Sequence, residues 1–203
     1  MTTVDGQCFS IGDTDVRFSM QSCIKPVLYS MAVAENGLQR IHRHVGYAPS
    51  GLAFNEVSLN SDGKPHNPLI NAGAIATASL IRPDQDLATR FRSFFDFAQR
   101  AAGPEKIGFS QPTYLCEAET AFRNHALMYY MMQHGVFPRD ASPEDALDFY
   151  LQGCSIEANT RAAANIAATF AAAGRSPLTG DTVFDAAAAK AVLTLMFSSG
   201  MYD

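Results

Sequence analysis

The chain lacks three features that would assign its class at once. Its cysteines form no C-x-x-C pair and have no spacing typical of a structural metal site or a disulfide framework; they are Cys8, Cys23, Cys116 and Cys154. No apolar run approaches the roughly 18 residues of a membrane-spanning helix. The N-terminus has no charged region followed by an apolar one, which argues against a secretory signal. We therefore predict reduced thiols, no membrane association and an intracellular, cytoplasmic location.

An excess of basic charge is also missing. The 203 residues carry 15 Lys and Arg against 20 Asp and Glu, and no stretch interleaves basic with aromatic side chains. Nucleic acid and anionic membranes are therefore poor partners, and a small-molecule substrate is favoured. With 47% apolar residues and no repeat, low-complexity tract or linker, the sequence predicts one globular domain over residues 1–203.

The chain is predicted to be mostly helical. Residues 7 to 19 place a Gly-Asp turn between two short alternating runs, which predicts a β-hairpin. Residues 45 to 75 contain too many glycines and prolines for regular elements and predict a long ordered loop. Further helices are expected at about residues 85–102, 117–134, 142–152, 157–173 and 185–198.

The stretch "FSMQSCIKPVLYSMAVAENG", residues 18 to 37, predicts a buried amphipathic helix that ends at Gly37. Pro26 is tolerated only in the first turn, so Ser22 lies at or just inside the N-terminus. Because residues three apart are neighbours on a helix, the Ser22 hydroxyl and the Lys25 amine can meet.

A serine paired with a lysine is a candidate nucleophile with its base. Serine needs a base to take its proton, and lysine can act as one only when it is neutral. Burial disfavours the ammonium form, and the positive end of the helix favours an alkoxide on Ser22. The S-x-x-K spacing is also found in the penicillin-recognising serine enzymes.

The four-residue pattern alone is weak, because Ser61 and Lys64 fit it too. The intervening Asp-Gly predicts a turn, where a mobile, solvated lysine would stay charged. For the first pair, the structural alternative is that Ser22 caps a helix and Lys25 is a surface charge.

Two other groups offer different chemistry. Cys23 could be the nucleophile of a Cys-His amidase, but neighbours on a helix point about 100° apart, so Cys23 and Ser22 cannot both face one pocket. His42 and His44 could be read as a metal pair, yet no third ligand is evident. We predict that these histidines are solvated or hydrogen-bonded.

The surroundings of Ser22 resemble a known family. The segments "GDTDVRFSMQSCIKP", "GYAPSGLAFNE", "KPHNPLINAGAI", "EAETAFRNHALMYYM", "LDFYLQGCSIEANT" and "SSGMYD" are similar, in this order, to the serine-dependent glutaminases. The resemblance implies the α/β (α+β) serine β-lactamase-like fold. It also implies hydrolysis of L-glutamine to L-glutamate and ammonia without metal or organic cofactor, and a homo-oligomer, either a dimer or a tetramer.

The same resemblance assigns roles to single residues. Ser22 matches the nucleophile and Lys25 its activating base. The positions that match glutamine contacts are Asn71, Glu117, Asn124, Tyr150 and Tyr202. A carboxylate suits the substrate's α-ammonium, while amide N–H and phenol O–H donors suit its α-carboxylate. Tyr202 is expected beside Ser22 as a proton relay. Without the family, Asn71 would be read as a turn residue, Glu117 and Asn124 as solvated, and Tyr150 as core.

The sequence departs from the family in composition and length. Cys116, Ala121-Phe122 and Ser199 replace the usual Ser, Gly-Asp and Cys, which affects the surroundings of Glu117. Family members continue before the position of Met1, where a mitochondrial targeting segment could lie, and after Asp203, where further strands and an oxyanion donor occur. These expectations make 1–203 an incomplete domain with weak or no activity on its own. The alternatives are a non-catalytic glutamine-binding or oligomerising homologue and, less favoured, a β-lactamase or penicillin-binding enzyme.

Overall fold

The computed structural model describes residues 1–52 and 56–199. This part of the chain is mostly helical, and its three short strands form one antiparallel sheet. The helices are α1 Lys25–Asn36, α2 Leu38–Ile41, α3 Asn71–Ala78, α4 Leu87–Ala102, α5 Gln111–Thr120, α6 Phe122–Gln133, α7 Pro143–Cys154, α8 Thr160–Ala171 and α9 Ala186–Ser199. The strands are β1 Phe18–Ser19, β2 Gly108–Phe109 and β3 Ile156–Ala158. None of these helices has the length and apolar character needed to cross a bilayer.

Helix α1 runs through the middle of the described structure. A 3₁₀ turn, Gln21–Ile24, leads into it, Pro26 lies in its first turn, and Gly37 ends it with a φ of 74°. The sequence predicted both ends. Every residue from Val27 to Val33 is buried, because α3, α4 and α9 pack around the helix. From Val27 to Val33 the helix is therefore enclosed on all sides, so the polar face that an amphipathic helix would have is not present there; only its last turn, with Ala34 and Glu35, is exposed.

The predicted hairpin over residues 7 to 19 is wrong. Strand β1 pairs with β3, Phe18 opposite Ala158, and β2 pairs with the other edge of β3. An alternating run indicates which side chains share a face, but it does not identify the partner strand. The strand order β1-β3-β2 places the end of β1 directly before the turn that carries Ser22.

Helix α3 replaces the last part of the predicted loop. Within the predicted loop, the described residues from 45 to 70 are irregular, and a helix then begins at Asn71. This helix is buried from Ala72 to Ala78, so its sequence has no polar face to reveal a helical period. Gly73 is required by packing, since a Cβ there would lie 1.8 Å from the backbone oxygen of Asn67.

Two predicted helices have different bounds. The segment predicted as one helix over 117–134 is two helices, α5 and α6, which meet at Ala121. The segment predicted from 157 to 173 begins as strand β3, and helix α8 starts only at Thr160. The Asn159 side chain accepts a hydrogen bond from the Ala162 N–H and so caps α8.

A buried arginine fixes α3 against its neighbours. Arg90 of α4 is 2% exposed and donates to the carbonyl oxygens of Ala78, at 2.8 Å, and Ile81, at 3.0 Å. Its guanidinium also lies 4.8 Å from the centre of the Phe149 ring of α7. Burial lowers the pKa of Arg90 below its usual value. A cation at the end of α3 satisfies helix carbonyls and stabilises the helix dipole, so α3 is held from its C-terminal end.

Candidate active site

The turn before α1 sets Ser22 and Lys25 one above the other. The Lys25 N–H donates to the Ser22 carbonyl, which closes one turn of 3₁₀ helix. Side chains three apart in such a turn eclipse each other, so both face the same side. The Met20 N–H donates to the Ile156 carbonyl at 2.7 Å, which ties the turn to strand β3. The turn is thus placed by the sheet on one side and by α1 on the other.

Gln21, directly before Ser22, has a strained backbone. Its φ is 47°, in the left-handed region that residues with a Cβ seldom adopt. The Gln21 side chain donates from Nε2 to Oε1 of Glu117 at 3.0 Å. Such strain persists only where surrounding contacts determine the conformation, and it is concentrated at functional sites. The sequence did not predict Gln21 as a site residue, because its one available signal was its place next to the candidate nucleophile.

Lys25 is a buried amine in contact with a polar side chain. Only 2% of its surface is exposed, and Nζ lies 2.7 Å from Oδ1 of Asn71. The surface-charge alternative for Lys25 is therefore wrong. A buried amine requires hydrogen-bonding partners, and Asn71 is one of them.

Asn71 joins Lys25 to two further helices. Its Oδ1 also accepts from the Tyr150 hydroxyl of α7, at 3.3 Å. Its Nδ2 donates to Oδ1 of Asn124 of α6, at 3.0 Å. Four predicted site residues from separate helices, including Lys25, thus form one continuous network.

Glu117 lies beside this network on α5. It is partly exposed, and its described partner is Gln21. The pair connects α5 to the turn that carries Ser22. The structure therefore brings together Ser22, Lys25, Asn71, Glu117, Asn124 and Tyr150. The remaining predicted residue, Tyr202, lies outside the described residues.

A buried cysteine, Cys154 of α7, lies beside this network, and the sequence did not predict it as a site residue. Burial raises the pKa of the Cys154 thiol to about 11, which a hydrogen bond with Tyr150 and the charge of Lys25 partly oppose and the charge of Glu117 reinforces. The thiol is therefore protonated at neutral pH. A protonated thiol is a weak nucleophile, so Cys154 contributes packing and polarity near Lys25 rather than attack on a substrate.

The histidines do not form a metal pair. His42 Nδ1 donates to the Val45 carbonyl at 3.0 Å, which leaves Nε2 to accept from the Tyr29 hydroxyl at 2.9 Å. His44 Nδ1 donates to the Val136 carbonyl at 2.6 Å. The prediction that these histidines are hydrogen-bonded is confirmed. Within residues 1–52 and 56–199, no three His, Cys, Asp or Glu side chains are grouped to hold a metal.

An apolar groove of about 720 Å³ lies elsewhere, between α4, β2 and α5. Phe91, Phe95 and Phe109 form much of its wall. None of the residues predicted to act on a substrate lines it. The polar network around Lys25 is the better candidate, because chemistry requires convergent hydrogen-bonding and ionisable groups as well as space.

Sequence comparison identifies relatives of the whole chain. The sequence model of the family described as "Glutaminase" matches residues 1–203. The mitochondrial liver isoform of glutaminase from Rattus norvegicus is 43% identical over 203 residues, which are 100% of this chain and 34% of the rat protein. The chain thus spans about a third of the length of this relative.

Solved structures give the same result for the fold. A crystal structure of Bacillus glutaminase in 4.3 M NaCl has a TM-score of 0.91 and 31% identity, and the match covers 99% of this chain and 67% of that one. A crystal structure of Mglu in its tris and glutamate form also has a TM-score of 0.91, with 33% identity over 100% of this chain and 45% of that one. These likenesses confirm the predicted fold class.

Proposed function

Because the chain belongs to the glutaminase family, we propose that it contributes the serine and lysine of an enzyme that hydrolyses L-glutamine to L-glutamate and ammonia. The observation that supports this most directly is the buried Lys25 amine, one 3₁₀ turn after Ser22 and bonded to Asn71 at 2.7 Å. Such a pair supplies a nucleophile with an adjacent base, as amide hydrolysis requires.

The reaction proceeds through an ester. Ser22 Oγ attacks the side-chain carbonyl carbon of glutamine while its proton passes to Lys25 Nζ. The tetrahedral intermediate collapses, the C–N bond breaks, and ammonia leaves with the proton that Lys25 returns. Water then attacks the glutamyl ester with Lys25 as base, and glutamate departs as Ser22 regains its proton. Tyr202 is proposed to relay these protons.

The groups around Ser22 and Lys25 are proposed to bind the α-ammonium and α-carboxylate of free glutamine. The Glu117 carboxylate suits the α-ammonium of glutamine, and the amide and phenol groups of Asn124 and Tyr150 suit its α-carboxylate. This proposal is supported by the contact between the Glu117 carboxylate and the side chain of Gln21, the residue that directly precedes Ser22. A similar protein, Mglu, was crystallised in its tris and glutamate form.

The test is ammonia release from L-glutamine by the protein, compared with Ser22→Ala and Ser61→Ala. Ser22→Ala is expected to lower kcat by about 10⁴-fold or more, since removing a nucleophile leaves only background catalysis. Ser61→Ala should stay within about twofold, as substitutions away from special features usually have small effects. Rapid quenching of the wild type should reveal a glutamyl adduct on Ser22 by mass. Full turnover by Ser22→Ala would rule out this mechanism, and glutamine binding without turnover would favour a binding protein.

A homo-oligomer, either a dimer or a tetramer, is part of the same proposal. Its support is a set of exposed apolar side chains on α6: Phe122 is 78% exposed and Tyr129 58%. Monomeric proteins seldom expose several large apolar groups together, so this face suits a subunit contact. Light scattering of the purified protein would give the assembly mass, and a monomer at micromolar concentration would contradict the proposal.

We also propose that the protein lies in an intracellular compartment. The rat relative is named mitochondrial. Cell fractionation followed by immunoblotting would separate a cytoplasmic from a mitochondrial location, and recovery from the culture medium would exclude both.

A further inference from the structure

Asn71 matches a position that contacts glutamine in the resembling family, yet its described contacts are within the protein. On the basis of the proposed function, we infer that Asn71 is a positioning residue that orients the Lys25 amine toward Ser22, and that Asn124 helps to fix the direction in which the Asn71 amide faces. Both roles rest on how this amide uses its hydrogen-bonding capacity.

The oxygen of the Asn71 amide is fully engaged. A carbonyl oxygen has two lone pairs, and Oδ1 accepts from Lys25 Nζ at 2.7 Å and from the Tyr150 hydroxyl at 3.3 Å. The amide nitrogen donates to Oδ1 of Asn124 at 3.0 Å. If the Asn71 amide turned over, its N–H groups would face the lysine and the phenol, and its oxygen would face another oxygen. The donors Lys25 and Tyr150 therefore favour the orientation in which Oδ1 faces them, and the contact with Asn124 stabilises the same orientation from the nitrogen side.

This contact controls the direction of the lysine lone pair. A neutral amine has two N–H groups and one lone pair, and the torsion about its last bond decides where the lone pair points. When one N–H is bonded to Asn71, the torsion is restricted and the lone pair can be directed at Ser22. After proton transfer the same contact becomes a charge-assisted hydrogen bond to the ammonium, which is stronger than the neutral one.

The position of Asn71 suits this role, because a helix carries it. It is the first residue of α3, whose other end is bonded to the buried Arg90 and whose Gly73 packs on the Asn67 backbone. Sites on rigid elements keep their geometry better than sites on loops. Among the described residues, ionisable groups near the network include Tyr150 and Cys154 of α7 and Glu117 of α5.

The decisive measurement is the pH profile of kcat/KM for Asn71→Asp. A carboxylate in place of the amide would stabilise the protonated lysine, so the acidic limb of the profile should move to higher pH by about one unit or more. The activity lost at neutral pH should then return at alkaline pH. Asn60→Asp is the matched control, because it adds the same charge in a turn where the Asn60 oxygen already accepts from the N–H groups of Asp62 and Lys64.

Asn71→Ala and Asn124→Leu separate the alternatives. For a positioning role, Asn71→Ala should lower kcat by about 10 to 100-fold with KM within about threefold, since geometry rather than binding is lost. Asn124→Leu should raise KM, since Asn124 is also proposed to contact the substrate, and should lower kcat less than Asn71→Ala does. Its effect on kcat should disappear in the Asn71→Ala background, because both changes disturb one chain of contacts. This double-mutant comparison remains decisive even if Asn71→Asp fails to fold.

Two outcomes would overturn the inference without touching the proposed function. One is a raised KM for Asn71→Ala with kcat unchanged and an unmoved acidic limb in Asn71→Asp, which would make Asn71 a simple glutamine contact. The other is that the effects of Asn71→Ala and Asn124→Leu on kcat are additive in the double variant. Failure of the proposed function is recognised differently, by turnover that survives Ser22→Ala.

Discussion

The chain contains the pattern Ser-x-x-Lys twice, and the two copies have opposite surroundings. Ser22 and Lys25 lie on a 3₁₀ turn that enters a buried helix, and Lys25 contacts the side chain of Asn71. Ser61 and Lys64 lie in a turn in which Oδ1 of Asn60 accepts from the Lys64 N–H. The same four-residue spacing thus gives a buried lysine beside a partly exposed serine in one place and a surface turn in the other.

The difference lies in what surrounds each lysine. In the first copy, α3 brings Asn71 to the amine, and the Tyr150 hydroxyl of α7 donates to the same Asn71 oxygen. In the second, Lys64 is half-buried and its Nζ donates to the His42 carbonyl at 3.3 Å. The predicted turn is confirmed, but Lys64 is half-buried and hydrogen-bonded rather than the mobile, solvated lysine that was predicted. A backbone carbonyl can hold an ammonium in place, but it offers no acyl-transfer chemistry.

Removing the amine of Lys25 or of Lys64 should give the largest difference in kcat between the two copies of the pattern. We expect Lys25→Met to lower kcat by about 10³-fold, within the range that a positioned base contributes. Lys64→Met should change kcat by less than about twofold. Both can be measured as ammonia release, with thermal unfolding as a folding check. Similar losses in the two variants would mean that the pattern around Lys25 has no special role.

Replacing a glycine near each pair by alanine should destabilise the protein by different amounts, which are compared as free energies of unfolding. In Gly73→Ala the new Cβ would lie 1.8 Å from the Asn67 oxygen, so α3 must move, at a cost of about 3 kcal/mol or more. In Gly63→Ala the Cβ meets only the edge of His134 at 3.9 Å, and the φ of 72° should cost about 1 kcal/mol.

Urea denaturation would measure both glycine changes. Gly73→Ala should also lose activity, because α3 carries Asn71. Equal free energies of unfolding for the two variants would show that the contact with Asn67 relaxes without strain.

Alkaline pH should lower the free energy of unfolding through Cys154, the buried thiol near Lys25. The pKa of Cys154 rises from 9.0 to about 11. Below pH 9 folded and unfolded chains both keep the proton; from pH 9 to about 11 only the folded chain does. The free energy of unfolding should therefore fall across this window, by roughly 2 to 3 kcal/mol for a shift of this size.

The alkaline effect is isolated by a matched pair of variants. Cys154→Ala should flatten the fall in stability between pH 9 and 11, while Cys116→Ala, at an exposed cysteine, should not. Other groups, such as Tyr29, titrate equally in all three proteins and cancel in the comparison. An identical pH dependence of Cys154→Ala and wild type would contradict the assigned cause.

Sequence signals predicted elements that begin and end at special residues. Pro26 and Gly37 gave the ends of α1 because each restricts the backbone in a way visible from one residue. Helix α3 was missed because it is apolar on all faces, and the break at Ala121 was missed because neither proline nor glycine marks it. The partner of β1 lies more than 130 residues away, which no local pattern can indicate.

The candidate site was predictable to a similar extent. Spacing placed Ser22 and Lys25 together, and the family resemblance supplied Asn71, Glu117, Asn124 and Tyr150. The burial of Lys25, the strained φ of Gln21 and the thiol of Cys154 depend on how distant helices pack, so they required the structure. The bond between Lys25 and Asn71 is of this kind, because nothing in either segment specifies the other.

The break between α5 and α6 has a consequence for how such a site can change over generations. In one unbroken helix, Glu117 and Asn124 would share a face, and any rotation that improved one would displace the other. The helix is interrupted at Ala121; Glu117 contacts Gln21 beside the proposed nucleophile, and Asn124 contacts Asn71 beside the proposed base. If those roles hold, mutations that move the Glu117 carboxylate can change substrate preference while the Ser22–Lys25 pair keeps its alignment.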